Sequence, residues 1–409
     1  MKSQLVFELR TLPWRTLAFL LAVIVVVLSL GVRTFTSYGE GYGYGGDSHD
    51  MVYATYQKRA LTNFYVNEAK DVSGFARDSV REGDMKDMAG YRRDVAFYAR
   101  VAELMASGRN RQLNRMFLAT LERDSGLISR NGAFLMNFSA EEDATNGKES
   151  IAVLRHWNRV APDRLVQVTA RTAALNTVTA VFNPPSRPER RAPTLITYAL
   201  LAVAAAAFVL SFFRDAPSRP LALMRVAPLG AGTQALARWT ATLLALAGML
   251  VFAVTVVTLA LAASPAHDFG VWRFPMLFPH GDNRAVVELW RVLLMILGYY
   301  LLWFALIGSA AFLIRQAARD QSVAMFVIGV GVFADYLNLL KLVPAWLAAR
   351  LPAAYLNLGQ ILNHQGPFVG THVWETYLVL GGWTLGLWLV GATLQALRQR
   401  YRVPLLVQG

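Results

Sequence analysis

Six long apolar runs punctuate this chain, at roughly Leu17 to Val32, Pro193 to Phe213, Trp239 to Ala263, Val292 to Ile314, Val323 to Val343 and Tyr377 to Leu397. Each is close to the ~20 apolar residues that cross the ~30 Å hydrocarbon core of a bilayer. A buried core helix explains any single run, but not the set. The chain is therefore expected to be an all-α polytopic membrane protein: six transmembrane helices with a mainly helical extracytoplasmic domain between the first and second.

The basic residues set the expected orientation. With the N-terminus inside, the cytoplasmic segments carry Lys2, Arg10, Arg15, Arg214, Arg219, Arg225, Arg238, Arg315, Arg319, Arg398, Arg400 and Arg402 against Glu8, Asp215 and Asp320, a net +9 of the chain's +13. The long segment Arg33 to Arg191 holds 23 Lys and Arg against 19 Asp and Glu, and charge in long translocated domains carries little topological weight. Both termini are thus expected in the cytoplasm of a multi-pass protein of the cell membrane. The expected organisation has residues 1–15 as a cytoplasmic amphipathic segment, 16–33 as the first span, 34–192 as the extracytoplasmic domain, and 193–409 as five further spans with a polar cytoplasmic loop at 214–238. The positive charge is a topology signature. No basic helix or aromatic stacking platform is concentrated in one soluble domain, so no nucleic-acid partner is expected.

A signal peptide is the alternative for the first run, but no small-x-small site comes after it, and Trp14 and Arg33 flank it as interface anchors do. Cysteine is absent, so the outside domain has only packing to hold it together. Within that domain, Tyr91, Val95, Tyr98, Ala102 and Met105 recur at helical spacing, as do Leu113, Met116, Phe117 and Leu121. These predict amphipathic helices that pack on one another. The glycine-rich stretch Tyr38 to Asp47 predicts a flexible exit from the first span, and the proline-rich stretch Asn183 to Pro188 a stiff neck before the second.

Catalytic motifs are missing: there is no GxxxxGK[ST] phosphate loop, no HExxH helix and no GxSxG elbow. The six histidines have neither cysteines nor paired carboxylates at ligand spacing, so no metal is expected. No enzyme activity and no cofactor are expected of this chain. Asp335, in GVGVFADYLNLL, is read at ~18 Å into the fifth span, where a carboxylate must face protein or water. Asn338 is expected on the same face. Asp335, Asn338, Tyr299 and Trp303 are the candidates for lining a translocation path; the alternatives are that Asp335 hydrogen-bonds a neighbouring helix or sits at the mouth of a span that begins later, and that the aromatics serve interface and packing.

The loop after the second run reads FFRDAPSRPLALMRVAPLGAGTQALARWT. Pro220 can start a short helix, Leu221, Leu223 and Met224 give it apolar surface, and Pro228 with Gly230 stops it. With the amphipathic tail FELRTLPWR, one span, an outside domain and five more spans, this loop makes the chain resemble the ABC-2 type permeases of ATP-driven exporters. The resemblance implies that Pro220, Leu221, Leu223, Met224, Arg225 and Pro228 form a coupling helix docking on a separate nucleotide-binding subunit, which holds ATP and Mg. It also implies pairing with a second copy or a related permease, and an amphipathic or lipid-like substrate. Arg214 and Asp215 are the nearest equivalents of the Glu-Arg pair often found before that helix, and Leu351 to Leu362 resembles the short re-entrant or interfacial helices of the outer mouth. Two other readings stand beside it: a mechanotransmitting ABC subunit, which usually has four spans, and a membrane-anchored extracytoplasmic sensor.

Overall fold

The computed structural model describes residues 2–39, 58–81, 88–123, 146–164, 192–213, 231–262, 273, 275–280, 283–318, 320–358, 361, 368 and 373–401. Its helices are α1 (Lys2–Thr11), α2 (Trp14–Gly39), α3 (Lys58–Arg81), α4 (Met88–Ala106), α5 (Asn110–Arg123), α6 (Asn146–Val160), α7 (Ala192–Phe213) and α8 (Ala231–Ala262). A hairpin of β1 (Pro275–His280) and β2 (Asn283–Glu288) precedes α9 (Leu289–Ala317), α10 (Gln321–Val332) and α11 (Val373–Tyr401). Between α10 and α11 lie short pieces, the 3₁₀ turns Leu339–Leu342 and Pro352–Tyr355 and the single α-turn Ala345–Ala348. The chain divides into two compact units, one of Met1–Gly31, Glu189–Val257 and Leu294–Gly409, the other of Val32–Pro188 and Thr258–Leu293.

Among the described residues four helices, α7, α8, α9 and α11, are long and apolar enough to cross a membrane, and the bent pair α1–α2 makes a fifth if taken as one span. The protein is membrane-embedded and predominantly helical. The 72° bend has a local cause in Pro13, which has no N–H to continue α1. The Thr11 hydroxyl donates to the carbonyls of Phe7 and Glu8 at 3.0 and 3.2 Å, supplying partners to acceptors left over at the end of the helix.

The fifth apolar run departs from the expected span. As helix it covers only the 12 residues of α10, about 18 Å of rise, well short of the hydrocarbon thickness. Asp320 caps its start, its carboxylate accepting from the Ser322 N–H at 2.7 Å. Beyond Val332 the chain turns, and the turn closes in a Schellman arrangement: Leu339 N–H donates to Ala334 O at 2.8 Å and Asn338 N–H to Asp335 O at 2.9 Å. Asn338 holds the left-handed position at φ 58°, which asparagine tolerates better than most side chains.

The membrane unit is locked by rings seated over glycines. A Cβ on Gly308 of α9 would lie 2.6 Å from Phe208 of α7 and 2.7 Å from the Trp239 indole of α8, and one on Gly391 of α11 would lie 2.8 Å from Phe312. Phe312 stacks on Trp388 at 4.5 Å, and Trp388 meets Trp239 at 5.7 Å. Hydroxyls pair in the same unit, Thr242 with Ser211 at 2.9 Å and Thr197 with Tyr300 at 2.8 Å.

In the other unit, the core is built from Tyr98, Val101, Leu104, Met105, Leu113, Phe117, Leu121, Leu154 and Trp157. Gly108, at φ 71°, turns α4 into α5 by a second Schellman closure, with Arg109 N–H on Leu104 O at 2.9 Å. The buried Asn114 amide donates to the carbonyls of Pro162 and Arg164, and the Trp157 indole also donates to Arg164 O. The β1–β2 hairpin, antiparallel from Pro275↔Glu288 to His280↔Asn283, packs on α6. It departs from the all-α expectation, and it brings a segment beyond the third apolar run into the same unit as α3 to α6.

Replacing Gly308 by Ala should destabilise the protein by about 1–3 kcal/mol through overpacking. Gly329→Ala is the control, because a Cβ there meets nothing within 4 Å. Thermal denaturation in detergent should separate the two variants; equal melting would contradict the ring-over-glycine interlock.

Candidate functional site

The six coupling-helix candidates, Pro220, Leu221, Leu223, Met224, Arg225 and Pro228, lie outside the described residues, in the stretch between α7 and α8. Beyond that stretch, in the second turn of α8, Arg238 pairs with Glu8 of α1, Nε to Oε2 at 3.2 Å and Nη2 to Oε1 at 3.4 Å. The Glu8 side chain is 1 % exposed and that of Arg238 12 %. A carboxylate so deeply buried persists only when paired and hydrogen-bonded, and Gln4 supplies a further bond to Oε1 at 3.2 Å. The N-terminal helix is thereby fastened to the end of α8 that adjoins the loop. In the sequence Glu8 registered only as a charge and Arg238 as the basic residue that enters the third apolar run in the permease-like pattern; their pairing, across 230 positions, did not register.

The proposed pathway residues do not form one site. Asp335 and Asn338 are exposed, in the closing turn after α10. Asp335 thus stands in a turn rather than within a continuous helix, and Asn338 does not share a helical face with it, because the α-helix has already ended. Tyr299 and Trp303 are buried in α9, at 1 % and 2 % exposure, so neither presents a surface to a passing molecule in this conformation.

Tyr299 has a different task. Its hydroxyl donates to Tyr355 O at 2.6 Å and lies 3.0 Å from Leu356 O. Both carbonyls belong to the broken segment between α10 and α11, whose backbone lacks continuous helical partners. Two more side chains act similarly, Tyr355 donating to Ala349 O at 3.0 Å and Trp383 of α11 to Arg350 O at 2.8 Å, while Tyr377 of α11 ties that helix to α9 through Met295 O at 2.8 Å. Leu356, Leu358 and Ile361 are buried. The segment that resembles a re-entrant element is therefore non-regular backbone, stapled to α9 and α11 by aromatic donors. Tyrosine hydroxyls within apolar runs were the available signal, since each needs an acceptor once buried.

In the second unit a partly buried cluster of titratable groups gathers around Glu288. Glu288, at the end of β2, accepts from Arg273 Nε at 2.9 Å and from the Trp290 indole at 2.7 Å. His156 of α6 stands 3.3 Å from the same carboxylate, too poorly aligned for a hydrogen bond. The Trp290 bond above all, with Arg273, holds the Glu288 carboxyl below its ordinary 4.5 against the opposing effect of burial. Among the described residues no group of three or more His, Cys, Asp or Glu is arranged to hold a metal ion. Compared with known proteins, the chain matches no family model, no curated protein and no solved structure.

Two substitutions test these assignments. Tyr299→Phe removes the donor from two carbonyls of the broken segment and should cost about 1–3 kcal/mol, read as a lower melting temperature in detergent; unchanged melting would mean the staple is idle. For Glu288, the folded carboxyl titrates below the unfolded one. Its contribution to stability is therefore complete above about pH 4.5 and lost as pH falls through the lower, folded value. Glu288→Gln should melt below wild type near neutral pH and converge with it in acid, and parallel pH profiles would refute the assignment.

Proposed function

We propose that this chain is the permease subunit of an ATP-driven exporter of the ABC-2 kind, moving an amphipathic or lipid-like substrate out of the cytoplasm or inner leaflet. ATP and Mg would be held by a separate nucleotide-binding subunit, and two permease copies, or this chain and a related one, would build the path. Both termini would be cytoplasmic, in the cell membrane, and the unit containing α3 to α6 extracytoplasmic. The observation that carries this reading is the Glu8–Arg238 pair. It fastens α1 to the start of α8, beside the loop whose Pro220 to Pro228 stretch has the composition of a coupling helix. A force applied to that loop by a partner would act on a buried charge pair and on the α1–α2 bend together, whereas a plain anchor has no use for either.

A mechanotransmitting subunit is the second reading. It is favoured by the count of long apolar helices among the described residues, four, or five with the bent pair, because the break after Val332 weakens the main objection to it. A membrane-anchored sensor comes third.

The test is isolation of the native complex. Wild type should copurify with an ATP-binding subunit, and the Leu223→Asp, Met224→Asp double variant should lose it, at about 2 kcal/mol or more per central anchor. A permease purified at native levels without any ATPase would reject the exporter and mechanotransmitting readings together. Substrate movement in proteoliposomes carrying the intact complex would separate those two.

A further inference from the structure

The last helix is the least covered of the four apolar ones. In its apolar stretch 17 % of residues are buried, against 78 % in α7, so within the single chain α11 is uncovered along most of its length. One stripe of it is hollow. Leu378, Gly382, Gly386 and Val390 recur every fourth residue and line an open groove of about 610 Å³, within the range of small-molecule sites. A Cβ added at Gly382 or Gly386 would meet nothing within 4 Å. From Leu378 to Val390 the groove runs about 18 Å along the helix, slightly more than one leaflet's share of a ~30 Å core. Its shape is that of a single extended chain.

One wall carries a cation. Arg350 lines the same groove, held beside α11 where the Trp383 indole donates to its backbone carbonyl at 2.8 Å. Its side chain is exposed, and among the described residues it forms no ion pair; Glu375, the acid on α11, lies two turns nearer that helix's start. Arg398 and Arg400, in the last turn of α11, mark one membrane interface. Trp383 lies about 22 Å along the helix from Arg398, so Arg350 sits less than ~10 Å inside the opposite edge of a ~30 Å core. A guanidinium at that depth is costly unless it snorkels to the interface and meets an anion or water.

We infer that this groove binds an anionic phospholipid, with one acyl chain laid over Gly382 and Gly386 and the phosphate paired to Arg350. Charge decides the occupant: an uncharged lipid would fill the hollow but leave the arginine without an anion, whereas guanidinium and phosphate fit each other in two parallel hydrogen bonds. The site is independent of the exporter reading, since it requires only that α11 lie in a bilayer.

Native mass spectrometry of the full chain in detergent, titrated with phosphatidylglycerol and with phosphatidylcholine, tests it. Wild type should prefer phosphatidylglycerol by about tenfold, the scale of one charge-assisted contact. Arg350→Gln should abolish the preference and Arg350→Lys keep part of it. Gly386→Leu, which fills the hollow, should weaken binding of both lipids with the melting temperature unchanged. Equal binding of the two lipids by wild type would overturn the inference, as would a preference that survives Arg350→Gln. Quantitative disulfide cross-linking of two Gly386→Cys copies in membranes would also overturn it, by showing that a second copy covers the groove.

Discussion

Hydrocarbon offers a peptide group no hydrogen bond, so every stretch of backbone placed in it must find its partners within the protein. The four long apolar helices meet that demand internally. Between α10 and α11 the described residues form short 3₁₀ and α turns, and side chains from elsewhere supply partners to their carbonyls. Tyr299 donates toward the carbonyls of Tyr355 and Leu356, and Trp383 donates to that of Arg350. These staples explain how a run of apolar sequence can abandon helix part way through and still be held in place. They also give α9 and α11 their polar contacts at a depth where polar contacts are few.

Between the helices themselves, apolar burial provides little drive, because lipid tails are as apolar as the neighbouring helix. Close packing has to serve instead. Gly308 and Gly391 leave space that Phe208, Trp239 and Phe312 occupy, and Trp388 completes the aromatic cluster. Where glycines lack such a filling, as at Gly382 and Gly386, a hollow remains on the uncovered face of α11. The same residue type thus marks a helix contact in one place and an open groove in another, and only the neighbour differs.

The unit containing α3 to α6 obeys ordinary aqueous rules. Its apolar stripes converge on Trp157, Phe117 and Met105, all fully buried, and in its interior the Asn114 amide and the Glu288 carboxylate find partners nearby. The buried pair Glu8–Arg238 belongs to the membrane unit and is of another kind. Two charges taken out of water gain little net stability even when well paired, so such a pair fits better as a device for fixing the position of α1 than as a source of stability.

Much of the helical content could be read from composition and period alone. The runs that became α7, α8, α9 and α11 are legible because a bilayer demands length and apolarity of each segment independently. The stripe Tyr98, Ala102, Met105 and the stripe Leu113, Phe117, Leu121 are legible because a helix repeats every 3.6 residues whatever it packs against. The end of α10 was less legible: Asn338 carries turn chemistry, but apolar composition continues past it, and only backbone geometry shows the left-handed residue. The hairpin was half legible, since Gly281 and Asp282 are a common hairpin pair yet β1 contains two prolines. Pairings across long separations left no trace, neither Glu8 with Arg238 nor Tyr299 with the carbonyls beyond Pro352. Local sequence determines which segments can be helical or apolar. Which donor meets which acceptor, and which glycine is filled, depends on distances that exist only once the chain has folded.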